Sequence, residues 1–157
     1  MNKLFSFPDP VNETSSRIVA AGVSLLAILA IITASPLVFV LIALGFLARV
    51  LTGPTLSPLG QIATRIISPL FPASYCPGPP KRFAQAIGLL ISAAAAVLII
   101  TGNQSPAILL MIVLLIFALL ESTVGFCMGC KVFSLLMKVG LIPEEICERC
   151  SNITTTN

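Results

Sequence analysis

Four long apolar runs divide the chain, and short polar or proline-containing breaks separate them. Asp9-Pro10 reads as an N-cap followed by a first helical residue, because proline lacks the N–H that the first turn leaves unbonded anyway. The apolar part behind it extends from Ile18 to Thr33. Ser35-Pro36 repeats the signal and opens a second run to about Leu51, ahead of Gly53. A third run covers about Phe83 to Thr101 and stops at Gly102. Ser105-Pro106 then opens a fourth, to about Phe126, with a continuation towards Val139 that Gly140 would close. A bilayer core is about 30 Å thick and takes roughly 20 helical residues to cross. The second run is short for that, and Arg49 would have to snorkel at its end.

The long connection 52–82 has its own pattern. After Ser57-Pro58, residues Leu59, Ile62, Ile66 and Leu70 recur at helical spacing, with Gln61, Thr64, Arg65 and Ser68 between them. This predicts an amphipathic helix over about 58–70, lying in the membrane interface or packed over the bundle. The stretch CPGPPKR at 76–82 reads as a stiff non-helical turn. In the third run Ala84, Gly88, Ser92 and Ala96 fall four apart, a small-residue stripe that lets helices approach closely in lipid. Ala95 lies off it. Pro143 starts a last short helix carrying Cys147 and Cys150.

Composition and charge turn this pattern into a class. Apolar residues make up 57% of the chain and charged residues 10%, against about 25% charged in a soluble domain. Mean hydropathy is +1.05. Of the nine Lys and Arg, Arg49 sits at the end of the second run, and the other eight precede the first run, lie between the second and third, or follow the fourth. The loops around Ser35 and around residues 102–104 have none. By the positive-inside rule both termini and the long connection are cytoplasmic. No cleavage pattern follows the first run, which reads as a retained span. The expected fold is therefore all-α: one integral membrane domain over 1–157. Its spans are about 18–33, 36–51, 83–101 and 106–126, with a cytoplasmic interfacial helix and a cysteine-bearing cytoplasmic tail at 127–157. The bilayer is its first partner, and nothing in the chain suits nucleic acid.

Candidate chemistry is narrow. The chain has no histidine, which excludes Ser-His-Asp and Cys-His mechanisms. Cysteines are arranged as Cys127-x2-Cys130, sixteen residues, Cys147-x2-Cys150. Two such pairs suit two redox couples, since each loop can close a disulfide and a neighbouring cation lowers a thiol pKa. They equally suit a four-thiolate zinc site, or they are small apolar residues without chemistry. Cys76, among prolines, is a fifth thiol with no pair. Because the cytoplasm keeps thiols reduced, thiol relay, persulfide transfer or metal binding fits the expected side better than disulfide generation. No cofactor is required, and zinc is the alternative. Glu121 is the sole acidic residue within a run. A buried carboxylate demands a partner, and Arg49, at similar depth, is expected to form a structural ion pair with it. On a continuous fourth helix Glu121 would point away from Cys127 and Cys130.

Five segments, FPDPVNE at 7–13, LTGPTLSPLG at 51–60, PGPPKRFAQAIG at 77–88, GFCMGC at 125–130 and IPEEICERC at 142–150, resemble an uncharacterised family of small bacterial membrane proteins, catalogued as a domain of unknown function. The resemblance implies a four-span protein of the bacterial inner membrane. It also implies an association with thioredoxin-like or sulfurtransferase partners, which favours thiol or sulfur chemistry at Cys127, Cys130, Cys147 and Cys150. The resulting expectation is a cytoplasm-facing thiol redox or sulfur-relay protein. The alternatives are a zinc-binding scaffold subunit, or a transporter for a small sulfur compound or anion working as a homo-oligomer.

Overall fold

Side-chain caps at Asn12 and Ser57 open two of the helices. The computed structural model describes residues 11–53, 55–71, 75–76 (backbone only), 78–125, 131–132, 135–136 and 139–140. Helix α1 spans Glu13–Thr33; Asn12 caps it, its side chain accepting from the Ser15 N–H at 3.3 Å. The expected start at Asp9-Pro10 lies outside the described residues, and the helix begins after Asn12. Ala34 ends it in the left-handed conformation, φ 48°, with its N–H bonded to Ala30 O at 2.9 Å. Only two residues separate α1 from α2 (Pro36–Thr52), and so tight a reversal forces an alanine into a region that favours glycine.

Helix α3 (Pro58–Ile62) starts as expected, with Ser57 Oγ accepting from the Gly60 N–H at 3.3 Å. It continues as a π turn over Ala63–Ile67 and a 3-10 turn over Ser68–Leu70. The expected helix over 58–70 is therefore present, but its hydrogen-bond step changes twice. Pro69 has no N–H for the carbonyl one turn back, so the regular α ladder cannot continue through it. This segment turns its polar side inward. Ser15 and Thr64 hydroxyls bond at 2.7 Å, and Asn12 Nδ2 donates to Ser68 Oγ at 2.8 Å. Ile62, Ile66, Leu70 and Phe71 point outward. Such an inverted arrangement suits a segment whose outer neighbour is lipid.

Two-residue strands β1 (Val11–Asn12) and β2 (Tyr75–Cys76) pair antiparallel, with Val11 opposite Cys76. Helix α4 spans Gly78–Ile100. The sequence-based reading of CPGPPKR as a non-helical turn is thus corrected over residues 78–82. Pro79 and Pro80 sit in the first helical turn, where a missing N–H removes no helical bond. Helix α5 spans Gln104–Val124 and is closed by Gly125 at φ 71°. The open question of a helix running on to Val139 is thereby answered: it does not, and the angular argument separating Glu121 from Cys127 and Cys130 loses its premise.

The helices alternate in direction and close a ring in the order α1, α2, α4, α5, with the seam between α1 and α2 the loosest. One half of the ring is filled by small residues. Ala27, Ala30, Ala95 and Ala107 are fully buried around Phe39 and Met111. The stripe on α4 faces inward at Gly88, Ser92 and Ala96. Ser92 satisfies its buried hydroxyl on Gly88 O at 2.7 Å. Ala95 is also fully buried, so its expected tolerance to enlargement does not hold; the exposed neighbour is Ala94. Outward faces are apolar, including Leu25, Leu41, Leu90 and Leu109. Helices α1, α4 and α5 are long and apolar enough to cross a membrane, and α2 is a shorter apolar helix. This is an all-α bundle of a membrane protein.

A Cβ at Gly88 would collide with the Phe46 ring of α2. Gly88→Leu is therefore expected to destabilise by about 3 kcal/mol or more through overfilling, read as a lower midpoint of thermal unfolding in detergent. Ala94→Leu should leave the midpoint within error.

Candidate functional site

Helix direction brings the start of α1, the end of α2, the start of α4 and the end of α5 to one end of the ring. Backbone bonds tie these ends together. Arg17 Nη2 donates to Thr123 O at 2.8 Å, and Arg82 Nε donates to Val50 O at 3.1 Å. Each guanidinium thus meets a carbonyl of a helix's last turns, where the dipole favours a cation. The opposite loops, Ala34–Ser35 and residues 101–103, contain no charged residue.

Between the four helices at the charged end lies a cavity of about 90 Å³. Val23, Ile91 and Leu114 line its inner part. Ser16, Arg49, Lys81, Gln85 and Glu121 supply its polar wall. Beyond it the alanine-lined half of the bundle is closed, so the space is a blind pocket and not a conduit.

The Glu121 carboxylate is held by Lys81 Nζ at 2.6 Å and accepts from Ser16 Oγ at 3.1 Å. The Lys81 side chain is 5% exposed and that of Glu121 22%. Arg49, the partner expected for Glu121, shares the cavity and feels its charge, but the direct ion pair goes to Lys81. Arg49 is 3% exposed, with its guanidinium carbon 4.3 Å from the centre of the Phe46 ring. That stacking is a cation–π contact. It leaves the Arg49 Nε and Nη1 hydrogens without acceptors, and Gln85 Oε1 is likewise buried without a donor.

Lys81, Gln85 and Phe46 were missed as site residues. Reading Pro79-Pro80 as a first helical turn would have recovered Lys81, which then falls on α4 with Gln85 one turn on. Cys127, Cys130, Cys147 and Cys150 lie outside the described residues, as does the helix expected after Pro143. Cys76 stands opposite Val11 in β2, at the charged end. Among the described residues no three Cys, Asp or Glu come together as a metal site.

Replacing Glu121 by Gln takes away the carboxylate that neutralises a buried ammonium, and a loss of about 3 kcal/mol is expected. The pair Lys81→Met with Glu121→Gln should lose less than the sum of the single changes. A double-mutant cycle on unfolding in detergent reads the coupling, and additivity would show that the two groups do not interact.

No curated protein and no solved structure matches this chain. Residues 11–138 match the family described as Domain of unknown function (DUF4395), and that span takes in all four bundle helices and the cavity between them. The chain belongs to the DUF4395 family.

Proposed function

We propose that this is a four-span protein of the bacterial inner membrane with both termini in the cytoplasm, and that it works as a thiol redox or sulfur-relay protein through Cys127–Cys130 and Cys147–Cys150. Support for the fourth span is the path of α2. From the turn at Ala34 it runs along α4 to the charged end, where its Val50 carbonyl meets Arg82. It therefore runs from one end of the ring towards the other despite its 17 residues. Leu37, Leu41 and Leu44 on its outer face are exposed, as a lipid-facing surface requires.

The observation carrying the cysteine reading is where α5 stops. Gly125 packs against α1's first turns, and a Cβ on it would come within 3.3 Å of both the Arg17 guanidinium and the Glu13 carboxylate. Cys127 follows two residues later in the chain. Helix α5 ends where Arg17, Arg49, Lys81 and Arg82 outnumber Glu13 and Glu121, and a cationic neighbour favours thiolate over thiol. The reaction class is thiol–disulfide exchange. A thiolate attacks a partner disulfide and expels one partner thiolate; the second cysteine of the pair then resolves the mixed disulfide. The pair is oxidised and the partner reduced, and a thioredoxin-like or sulfurtransferase protein is a partner of the right chemistry. Lys131 beside Cys130 and Arg149 beside Cys150 mark these two as the attacking thiols. Zinc held by all four thiolates is the rival reading. The blind cavity offers no conduit within one chain, so the third reading, transport, keeps its need for a homo-oligomer.

Reporter fusions at residues 35 and 103 should report the external side, and fusions at 76 and 157 the cytoplasm. A cytoplasmic signal at 103 would remove the compartment argument. Cys127→Ser and Cys147→Ser should trap mixed disulfides with a partner, while Cys130→Ser and Cys150→Ser should abolish exchange. Protein purified without reductant should hold no stoichiometric metal. One zinc per chain, lost on any single substitution, would replace the relay with a metal site.

A further inference from the structure

The cavity beside Arg49 has a hydrogen-bonding and charge pattern that neither the ion pair nor the cysteine chemistry uses. Arg49 is 3% exposed, and its Nε and Nη1 hydrogens have no acceptor. Each unmade bond on a buried charged donor is costly, because the group has left water without replacement. Gln85 Oε1, one turn beyond Lys81 on α4, is a buried acceptor with no donor. Both side chains line the same space. A packed structural arginine would have its donors filled by neighbouring carbonyls or a carboxylate. Here the nearest carboxylate, Glu121, is already engaged by Lys81 and Ser16.

Charge points the same way. Among the described residues lining the cavity, two cations, Arg49 and Lys81, face one anion, Glu121. Among the described residues the Arg49 guanidinium has no carboxylate of its own within ion-pair distance, and the compartment's walls at Val23, Ile91 and Leu114 are apolar. Water entering the cavity could satisfy the hydrogen bonds but could not neutralise that charge.

We infer that the cavity between α1, α2, α4 and α5 is a binding site for one small monovalent oxyanion, held by the Arg49 guanidinium and selected for an O–H group by Gln85. An oxygen of the anion accepts a charge-assisted hydrogen bond from Arg49 Nε or Nη1; the two donors point to opposite sides of the guanidinium, so one small anion meets one of them. An anion carrying its own hydroxyl also gives Gln85 Oε1 its missing donor. A volume of about 90 Å³ admits an anion of a few heavy atoms. The apolar inner wall also accommodates a short alkyl substituent. A dianion would overcompensate the Arg49 guanidinium and is disfavoured. The phosphodiester of an anionic lipid headgroup shares the monovalent chemistry, with the bilayer as its source. This inference does not rest on the thiol reading, and the cysteine variants leave it untouched.

The test uses the full chain in phosphatidylcholine nanodiscs, titrated calorimetrically with acetate and hydrogencarbonate, and with methylammonium as a cation control. Saturable binding of both anions at one per chain is expected, with hydrogencarbonate the tighter and no heat from methylammonium. Arg49→Gln should weaken both anions at least tenfold, while Gln85→Leu should weaken hydrogencarbonate and leave acetate within twofold. If Arg49→Gln does not fold, as judged by far-ultraviolet circular dichroism, the selective loss in Gln85→Leu decides. Nanodiscs containing phosphatidylglycerol distinguish the source. Loss of acetate binding there, recovered when the phosphatidylglycerol is omitted, assigns the site to a headgroup phosphodiester. Unchanged acetate binding assigns it to a free anion. Absence of saturable binding by any monovalent anion in phosphatidylcholine, or equal affinities in the parent and in both variants, would overturn the inference.

Discussion

Helices in a bilayer gain little from burying apolar surface against one another, because lipid tails are as apolar as leucine. What holds them is close contact, and close contact needs small side chains. Ala27, Ala30, Ala95 and Ala107 provide it in the uncharged half of this bundle, with Phe39 and Met111 filling what the alanines leave. Gly88 extends the contact on α4, where its bare Cα accepts the Phe46 ring. The same ring carries Arg49 on its face. Packing in one half and polar architecture in the other thus meet at one phenylalanine.

At the charged end the bundle relies on a different kind of bond. Lys81–Glu121 joins α4 to α5, Ser16 joins α1 to the same carboxylate, and Arg17 and Arg82 each clasp the end of another helix. These contacts link all four helices through groups that would be expensive to leave unpaired in a weakly polar medium. They also surround the cavity that contains Arg49 and Gln85, so that rigidity and binding capacity come from one cluster.

Much of this architecture was legible from local signals. Ser35-Pro36 and Ser57-Pro58 marked helix starts because the proline ring, joined at Ser57 by a side-chain cap, acts over a few residues, and both helices begin there. The small stripe on α4 was readable for the same reason, since spacing of four defines a helix face whatever lies opposite. The errors came from ambiguity or from non-local choice. Two consecutive prolines are compatible with a turn and with a helix's first turn; α4 uses the second option and thereby carries Lys81 into the bundle. Ala95 is adjacent to the stripe and is buried because α4 is flanked by both α2 and α5, which no single-helix pattern reveals. Glu121 was recognised as needing a cation, but the choice between Arg49 and Lys81 depends on how α2 and α4 are rotated against α5. The π and 3-10 turns after α3 depend on Pro69 acting on a helix that is already pinned through Thr64 and Ser68.

The shortness of α2 has a mechanical consequence. At 1.5 Å per residue its 17 residues measure about 25 Å, against about 31 to 34 Å for the 21 to 23 residues of its neighbours. Around a crossing α2, a flat slab of uniform thickness cannot suit every flank. Lipids there must shorten by a few ångströms, at a fraction of a kcal/mol per ångström. The α3 segment follows α2 after a short connection and turns Ile62, Ile66 and Leu70 outward. Lying along the interface, it would wedge into the headgroup region beside its short neighbour and relieve part of that elastic load. A protein crossing with such a helix would be sensitive to bilayer thickness on one side only, and would partition towards thinner patches with a preferred rotational orientation.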